Sequence, residues 1–299
     1  MPHQEPLPPL SALPLIISVQ SQVAFGHVGN SAAAYPMRAC GVEVIEVPTT
    51  ILSNNPHYAT MHGKLLEGEL VGELLTGLEQ RGVIARTPLI LSGFLGRADT
   101  ATALARFVAR AKAANPMVTY VCDPVMGDAD LGYFADEALR ATLSEVLVPL
   151  ADVIVPNAFE LATLSGFAIE RLEDVPRARA TLGRPAVVAT SVTTPDRPDR
   201  LATVTATATG CTVLETRRLP VRPAGTGDLL SGLAAARLAL GDRLERAVAR
   251  GVAGVTAALK HTSSEDWAEM PIAAAMDQII AAAPTSEGEP LVTGAGVTF

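Results

Sequence analysis

Ala151-Asp152-Val153-Ile154-Val155-Pro156-Asn157-Ala158-Phe159-Glu160-Leu161-Ala162-Thr163-Leu164 changes rhythm halfway along. Val153 to Val155 is a short, β-branched apolar run, the pattern of a strand buried on both faces. Proline and asparagine interrupt it, and over 158–164 apolar residues recur at helical spacing. One strand has turned into one helix within two residues. The same step recurs on both sides of it. Apolar runs at 15–19, 42–47, 89–91, 118–122 and 186–190 read as further strands, and 31–40, 65–80, 100–114 and 137–147 carry helical spacing. This alternation predicts an α/β fold with a central, mostly parallel sheet and helices on both faces.

The rhythm shifts late in the chain. Segments 201–208 and 211–217, rich in Thr and Val, flank Thr209-Gly210 and predict an antiparallel hairpin. Helices are expected at 228–240, 243–260 and 272–283. No linker, repeat or low-complexity tract divides the core, so 15–283 reads as a single domain. Residues 1–14, with five prolines, read as a flexible tail, and 284–299 as a weakly ordered one.

Composition narrows the function. Of the 299 residues 48% are hydrophobic and only 18% charged, enough for a sizeable core. A net charge of −8 argues against nucleic acid as a partner. The apolar run near the start, 13–19, is broken by Pro14 and lacks a basic flank, so neither membrane span nor signal peptide is expected, and the cytoplasm is the expected location. Cys40, Cys122 and Cys211 are too few and too scattered for a disulfide framework or a metal cluster.

Ligands of open α/β sheets bind beyond the carboxyl ends of the strands. The polar residues at those positions therefore come first. Ser21 follows the first strand, placed to hydrogen-bond a small polar ligand, and Gly26 and Gly29 let the next turn come close; a cap by Asn30 or Ser31 is the plainer explanation of the glycines. Asp123 follows the strand at 118–122, where it can hold Mg²⁺ through water or neutralise phosphate with a cation. Cys122 beside it reads as buried, inert filler. Asn157 and Glu160 either serve the same Mg²⁺ and phosphate or form a capping pair, since Asn-x-x-Glu fits both.

The stretch Arg222-Pro223-Ala224-Gly225-Thr226-Gly227-Asp228-Leu229-Leu230-Ser231-Gly232 carries the most chemistry. Its glycines permit a sharp turn with outward amides, and a helix start presents unpaired N–H groups and a positive dipole end. That is an anion pocket. Asp228 lies at its edge, able to take a proton from an attacking hydroxyl; Asp as a helix N-cap is the alternative. The chain has no Gly-x-x-x-x-Gly-Lys-Ser/Thr loop and no Gly-x-Gly-x-x-Gly on its first βα turn.

Gly225-Thr226-Gly227-Asp228, with Asn157-x-x-Glu160 upstream, resembles the ribokinase superfamily. Ser18-Val19-Gln20-Ser21 with Gly26-His27-Val28-Gly29-Asn30-Ser31, then Leu52-Ser53-Asn54, then Tyr120-Val121-Cys122-Asp123-Pro124-Val125-Met126-Gly127-Asp128 resemble the vitamin B6 kinases within it. The likeness spans about 15–260. It implies a ribokinase-like domain that phosphorylates pyridoxal with ATP, as a homodimer using Mg²⁺ and K⁺. By the same likeness Asp228 is the base, and Gly225, Thr226 and Gly227 form the anion hole. Asp123 and Glu160 serve the metal, and Asp123, Tyr133, Asn157, Glu160, Thr190 and Ser191 the nucleotide. Ser21, Val28, Asn55 and Phe94 line the vitamin pocket.

Departures from the family pattern fall on the vitamin side: Phe94 replaces a usual tyrosine, Ser53-Asn54-Asn55-Pro56 replaces Ser-Asn-His-Thr with His57 displaced, and Arg222-Pro223-Ala224 is less apolar than usual. Two other functions compete: a kinase for another hydroxymethyl heterocycle such as hydroxymethylpyrimidine, and a non-catalytic carrier or sensor of pyridoxal phosphate. The first rival lacks its expected Gly-rich first turn at Ser21-Gln22-Val23, and the second has no use for a base at Asp228.

Overall fold

A computed structural model describes residues 12–183, 185–265 and 268–291. Its first half runs β1 (Leu15–Val23), α1 (Asn30–Ala39), β2 (Glu43–Leu52), β3 (Gly63–Leu65), α2 (Gly68–Gln80), β4 (Leu89–Ser92), α3 (Ala98–Ala114) and β5 (Thr119–Cys122). A small hairpin follows, β6 (Gly127–Asp128) and β7 (Gly132–Tyr133), then α4 (Glu137–Thr142), β8 (Val153–Ile154), α5 (Ala158–Ser165), α6 (Asp174–Leu182) and β9 (Ala186–Val192). The chain ends with β10 (Arg200–Ala206), β11 (Cys211–Arg217), α7 (Thr226–Ala239), α8 (Leu244–Lys260), α9 (Met276–Ala281) and β12 (Glu289–Pro290).

The main sheet has ten strands in the order β12-β11-β10-β9-β8-β5-β4-β1-β2-β3. From β2 to β9 all neighbours are parallel. Both ends turn antiparallel, β3 on one side and β10 to β12 on the other. The late hairpin is thus not a separate ribbon but an extension of the sheet. Alternation along β1 divides the core. Leu15, Ile17 and Val19 join the cluster under α2 and α3, where Leu75, Leu104 and Phe107 are buried. Ile16 faces the other way, towards Met37 of α1 and Ala235 of α7. At Gly232 of α7 an added methyl would press on the Ala33 methyl at 2.8 Å, so this glycine lets α1 and α7 approach closely.

Several boundaries move. The helix expected over 65–80 begins at Gly68, because Leu65 pairs with Thr50 at the sheet edge. The one expected over 137–147 loosens after Thr142 into a wide turn over Leu143–Leu147. The helix expected over 272–283 contracts to Met276–Ala281. The tail expected from Pro284 contains β12, which pairs with β11, and Leu291 is buried against the core; residues 1–11 and 292–299 of the two expected tails lie outside the described residues. The pair β6–β7 and helix α6 had no counterpart in the sequence pattern, since two-residue strands and a helix carrying Pro176 and three arginine or aspartate charges are weak periodic signals.

The chain starts at β1, goes outward to β2, and returns on the other side at β4. That reversal is where open α/β sheets bind ligands. Ser21, Phe94, Asp123, Asn157 and Thr190 lie at or just beyond the carboxyl ends of β1, β4, β5, β8 and β9 in turn.

Candidate active site

Helix α7 opens the site. Gly225 precedes it with φ 80°, left-handed backbone that favours glycine, and a methyl there would strike the His27 carbonyl. The anion-hole turn therefore lies directly against the turn after β1. No side chain caps α7, and Asp228 is its third residue rather than its cap. The first-turn amides remain open, with Gly227 exposed. Burial raises the Asp228 carboxyl above its usual range, and a bond from the Gly29 N–H works against that rise. Capping thus does not account for Asp228.

Helix α1 likewise starts without a side-chain cap. Asn30, expected as a possible cap, reaches down instead. Ser18 Oγ donates to Asn30 Oδ1 at 2.7 Å and Gln20 Nε2 to Ser18 Oγ at 2.8 Å. Ser31 Oγ donates to the Val23 carbonyl at 2.8 Å. Gly29, at φ 55°, puts its backbone against Ser21, which is buried.

Asp123 is buried, and its Oδ2 accepts the Ser231 hydroxyl of α7 at 2.7 Å. Burial pushes its carboxyl well above the ordinary range; the Glu160 and Asp228 charges push the same way, and the Ser231 bond opposes them. Glu160 lies 3% exposed, its carboxyl raised to about 7 by burial against opposing backbone bonds. Its Oε1 accepts Met126 N at 2.8 Å and its Oε2 accepts Asn157 N at 2.9 Å. Asn157 Oδ1 accepts Glu160 N at 2.9 Å in return, and Asn157 Nδ2 donates to the Gly127 carbonyl at 2.8 Å. Here the capping box is real, and it ties α5 to the β6 strand. Among the described residues no group of three or more His, Cys, Asp or Glu side chains is arranged to hold a metal ion.

Among the residues expected on the nucleotide side, Thr190 bridges Asn157 at the end of β9. Ser191 beside it has φ 56°, the one left-handed residue other than glycine among those described, at the register shift between β9 and β10. Such backbone costs of order 1–3 kcal/mol and clusters at ligand sites. Tyr133 projects from β7: its hydroxyl bonds Thr163 Oγ1 at 2.9 Å, its ring leans on Phe159, and the Arg140 guanidinium covers it at 4.1 Å.

The residues expected on the vitamin side are assembled differently. Phe94 lies edge-on to Phe134 with centroids 6.0 Å apart, and Val28 lies beside Gly225. Asn55 is buried, its Oδ1 accepting His57 N at 3.0 Å and its Nδ2 donating to Glu269 Oε1 at 3.0 Å. Both ends of the Asn55 amide are engaged within the protein. Glu269, which binds it, carried no sequence signal; it lies far from every motif. Arg222 pairs with Asp130 in the β6–β7 turn, linking the approach to α7 with the small hairpin. Cys122 is fully buried and its thiol is pushed up to about 12 by that burial, as befits an inert position. Two surface grooves of about 510 and 500 Å³, one between α2 and α3 and one beside α8, are lined by none of these residues.

An open helix start beside a buried carboxylate, at the reversal of a mostly parallel sheet, is the arrangement expected of a ribokinase-like phosphotransferase site. The phosphomethylpyrimidine kinase family model matches residues 38–272. A pyridoxal kinase of Leifsonia xyli is 40% identical over 245 residues, covering 80% of this chain and 86% of that protein. A pyridoxine/pyridoxal/pyridoxamine kinase of Bordetella avium is 40% identical over 259 residues, covering 85% and 88%. The solved pyridoxal kinase of Leishmania donovani with ADP and pyridoxamine superimposes with a TM-score of 0.87 at 26% identity, over 93% of this chain and 99% of that one. The chain belongs to the pyridoxal kinases, within the family that the phosphomethylpyrimidine kinase model describes.

Proposed function

We propose that this protein transfers the terminal phosphoryl group of ATP to the 5′-hydroxyl of pyridoxal, and of pyridoxine and pyridoxamine, in vitamin B6 salvage. The observation that carries the proposal is Asp228 inside an uncapped helix start, its carboxyl raised by burial and set against the Gly29 turn. A carboxylate whose pKa is raised towards the working pH is a better proton acceptor for an alcohol. Asp228 takes the hydroxyl proton as the oxygen attacks. The amides of Gly225, Thr226 and Gly227 stabilise the negative charge of the transferring group. Ser21, Val28, Phe94 and Asn55 form the vitamin side, and Tyr133, Asn157, Thr190 and Ser191 the nucleotide side.

The charges of Glu160 and Asp228 both act on the buried Asp123 carboxyl, an acidic surrounding that a cation would relieve. Asp123 and Glu160 are the residues that would hold Mg²⁺, which favours carboxylate oxygens and keeps several of its waters. When bound, Mg²⁺ neutralises charge on the nucleotide phosphates. We extend the reading to stimulation by K⁺, a homodimer and a cytoplasmic location. Exposed Ile51, Met61 and Leu65 around the β3 edge support a second copy covering that face. Among the described residues no helix is long and apolar enough to cross a membrane.

The family description keeps hydroxymethylpyrimidine as a second acceptor to test. Purified protein with Mg²⁺ and ATP is offered pyridoxal, pyridoxine, pyridoxamine and hydroxymethylpyrimidine, with products read by mass. Pyridoxal 5′-phosphate is the expected product. Turnover of the pyrimidine alone overturns the B6 assignment, and binding of pyridoxal phosphate without any turnover makes the protein a carrier.

A further inference from the structure

A carboxylate from the far end of the chain clasps the vitamin side. Glu269 Oε2 accepts the His27 N–H at 2.9 Å, across 242 positions of sequence. Its Oε1 accepts Asn55 Nδ2 and the Tyr58 hydroxyl, each at 3.0 Å. A methyl on Gly26 would strike this carboxylate, so the Gly26 backbone lies directly against it. The Phe25 ring meets the Tyr58 ring edge-on at 5.8 Å, a second link between the same two segments. Glu269 thereby joins the turn 25–29 to the loop 53–62, whose ends are closed by Ser53 N–H bonding the His62 carbonyl at 2.7 Å.

The far side of that turn touches the reaction centre. The His27 carbonyl lies against Gly225, and the Gly29 backbone lies against Ser21. The turn is therefore held between Glu269 and the anion hole. Phe25 is 60% and Tyr58 40% exposed, so the clasp lies at a rim open to solvent rather than in the core.

We propose that Glu269 is a positioning residue for the acceptor alcohol. It holds the turn 25–29 and the loop 53–62 as one wall of the vitamin pocket, and through His27 it sets that wall against Gly225 of the anion hole. This rests on the kinase activity proposed above. Positioning of the acceptor should weigh on the acceptor's KM and leave the nucleotide's KM alone, because the partners of Glu269 among the described residues are His27, Asn55 and Tyr58.

The test compares Glu269→Ala, Glu269→Gln and Tyr58→Phe with the wild type. For Glu269→Ala the KM for pyridoxal should rise by ~10-fold or more and that for ATP by less than ~2-fold. Glu269→Gln keeps one acceptor oxygen and should fall between, and Tyr58→Phe should raise the pyridoxal KM by a few-fold at most. Amide hydrogen exchange in Glu269→Ala should speed up over 25–29 and 53–62 and stay protected over 119–123. Equal rises in both KM values with a lower Tm, or no change in either, overturn the inference. If Glu269→Ala does not fold, the other two variants carry the same contrast. A wild type without B6 turnover breaks the proposed function instead, and the exchange measurement still decides on the clasp.

Discussion

The two sides of the crevice are built from different materials. The phosphate side rests on backbone: the open amides at the start of α7, the left-handed Gly225, and a capping box that holds Glu160 beside Met126. The proposed vitamin side rests on side chains brought from three separated segments, with Asn55, Tyr58 and Glu269 meeting over the turn at His27. Backbone sites need glycines and a helix start at fixed spacing, so few sequences satisfy them. Side-chain sites can be rebuilt by exchanging partners.

The harshest way to break this contrast is at the base. Asp228→Asn keeps shape and removes only the proton acceptor, so kcat should fall ~10²–10⁴-fold. Because burial already disfavours the charged form, Tm should hold or rise. A mutant with near wild-type turnover would remove Asp228 from the chemistry. A mutant that loses stability along with rate would return it to the role of a helix-end residue.

Gly225→Ala comes next. The methyl meets the His27 carbonyl, a backbone atom with little room to yield, on left-handed backbone of φ 80°. Strain of about 1–3 kcal/mol corresponds to a ~5–150-fold loss in kcat/KM if it falls on the anion hole. Gly241→Ala is the control: its φ of 92° is equally unfavourable, but nothing lies within 4 Å of the added methyl. Equal losses of activity in the two mutants would mean that the contact between the two sides of the crevice has no part in turnover.

The fold was legible because each βα step repeats one local pattern, as at Val153 to Leu164. Sheet order was not, since no residue in β10 states that it pairs with β9. Within the site, spacing showed Gly225 to Asp228 but left two capping alternatives open, which the structure decides in opposite directions: absent at Asp228, present at Asn157 and Glu160. Asn30 also escaped local reasoning, because its partners Ser18 and Gln20 lie across the strand and not in the helix it begins. Glu269 was invisible for a simpler reason. A lone glutamate in a mixed segment has no periodicity, and only the folded chain brings it to His27.

A smaller effect sharpens the electrostatic half of the comparison. Glu160 holds its proton to about pH 7 in the fold, against 4.5 for an ordinary glutamate. An acid that binds its proton more tightly when folded contributes stability at low pH that is lost as pH rises through the folded pKa. Mg²⁺-free protein should therefore lose Tm as pH climbs from about 4.5 to about 7, with Asp123 and Asp228 acting in the same direction. Asp99, lowered to about 2 by Arg97, works in the opposite sense but below this window. Added Mg²⁺ and ATP should flatten the slope. A Tm that rises over the window would mean that burial does not hold these carboxyls protonated in the fold.

The smallest effect belongs to Phe94→Tyr, on the vitamin side. The Phe94 ring is half-buried, resting on the core on one side and edge-on to the half-exposed Phe134 on the other. Its backbone is held by Thr49 Oγ1 bonding the Phe94 carbonyl at 2.6 Å, so a hydroxyl can be added without moving the chain. A phenol that finds a polar group on the vitamin gains on the order of 1 kcal/mol, a several-fold tighter KM for pyridoxal, and one that finds only water gains nothing. Either way the KM for ATP and kcat should stay as they were, because Asp123, Glu160 and the α7 turn lie on the other side of the crevice. A fall in the pyridoxal KM alone means that a side-chain wall can be retuned one bond at a time while the backbone wall stands. A change in the ATP KM from this substitution would mean that the two walls are one, and that the division by building material does not describe how the site works.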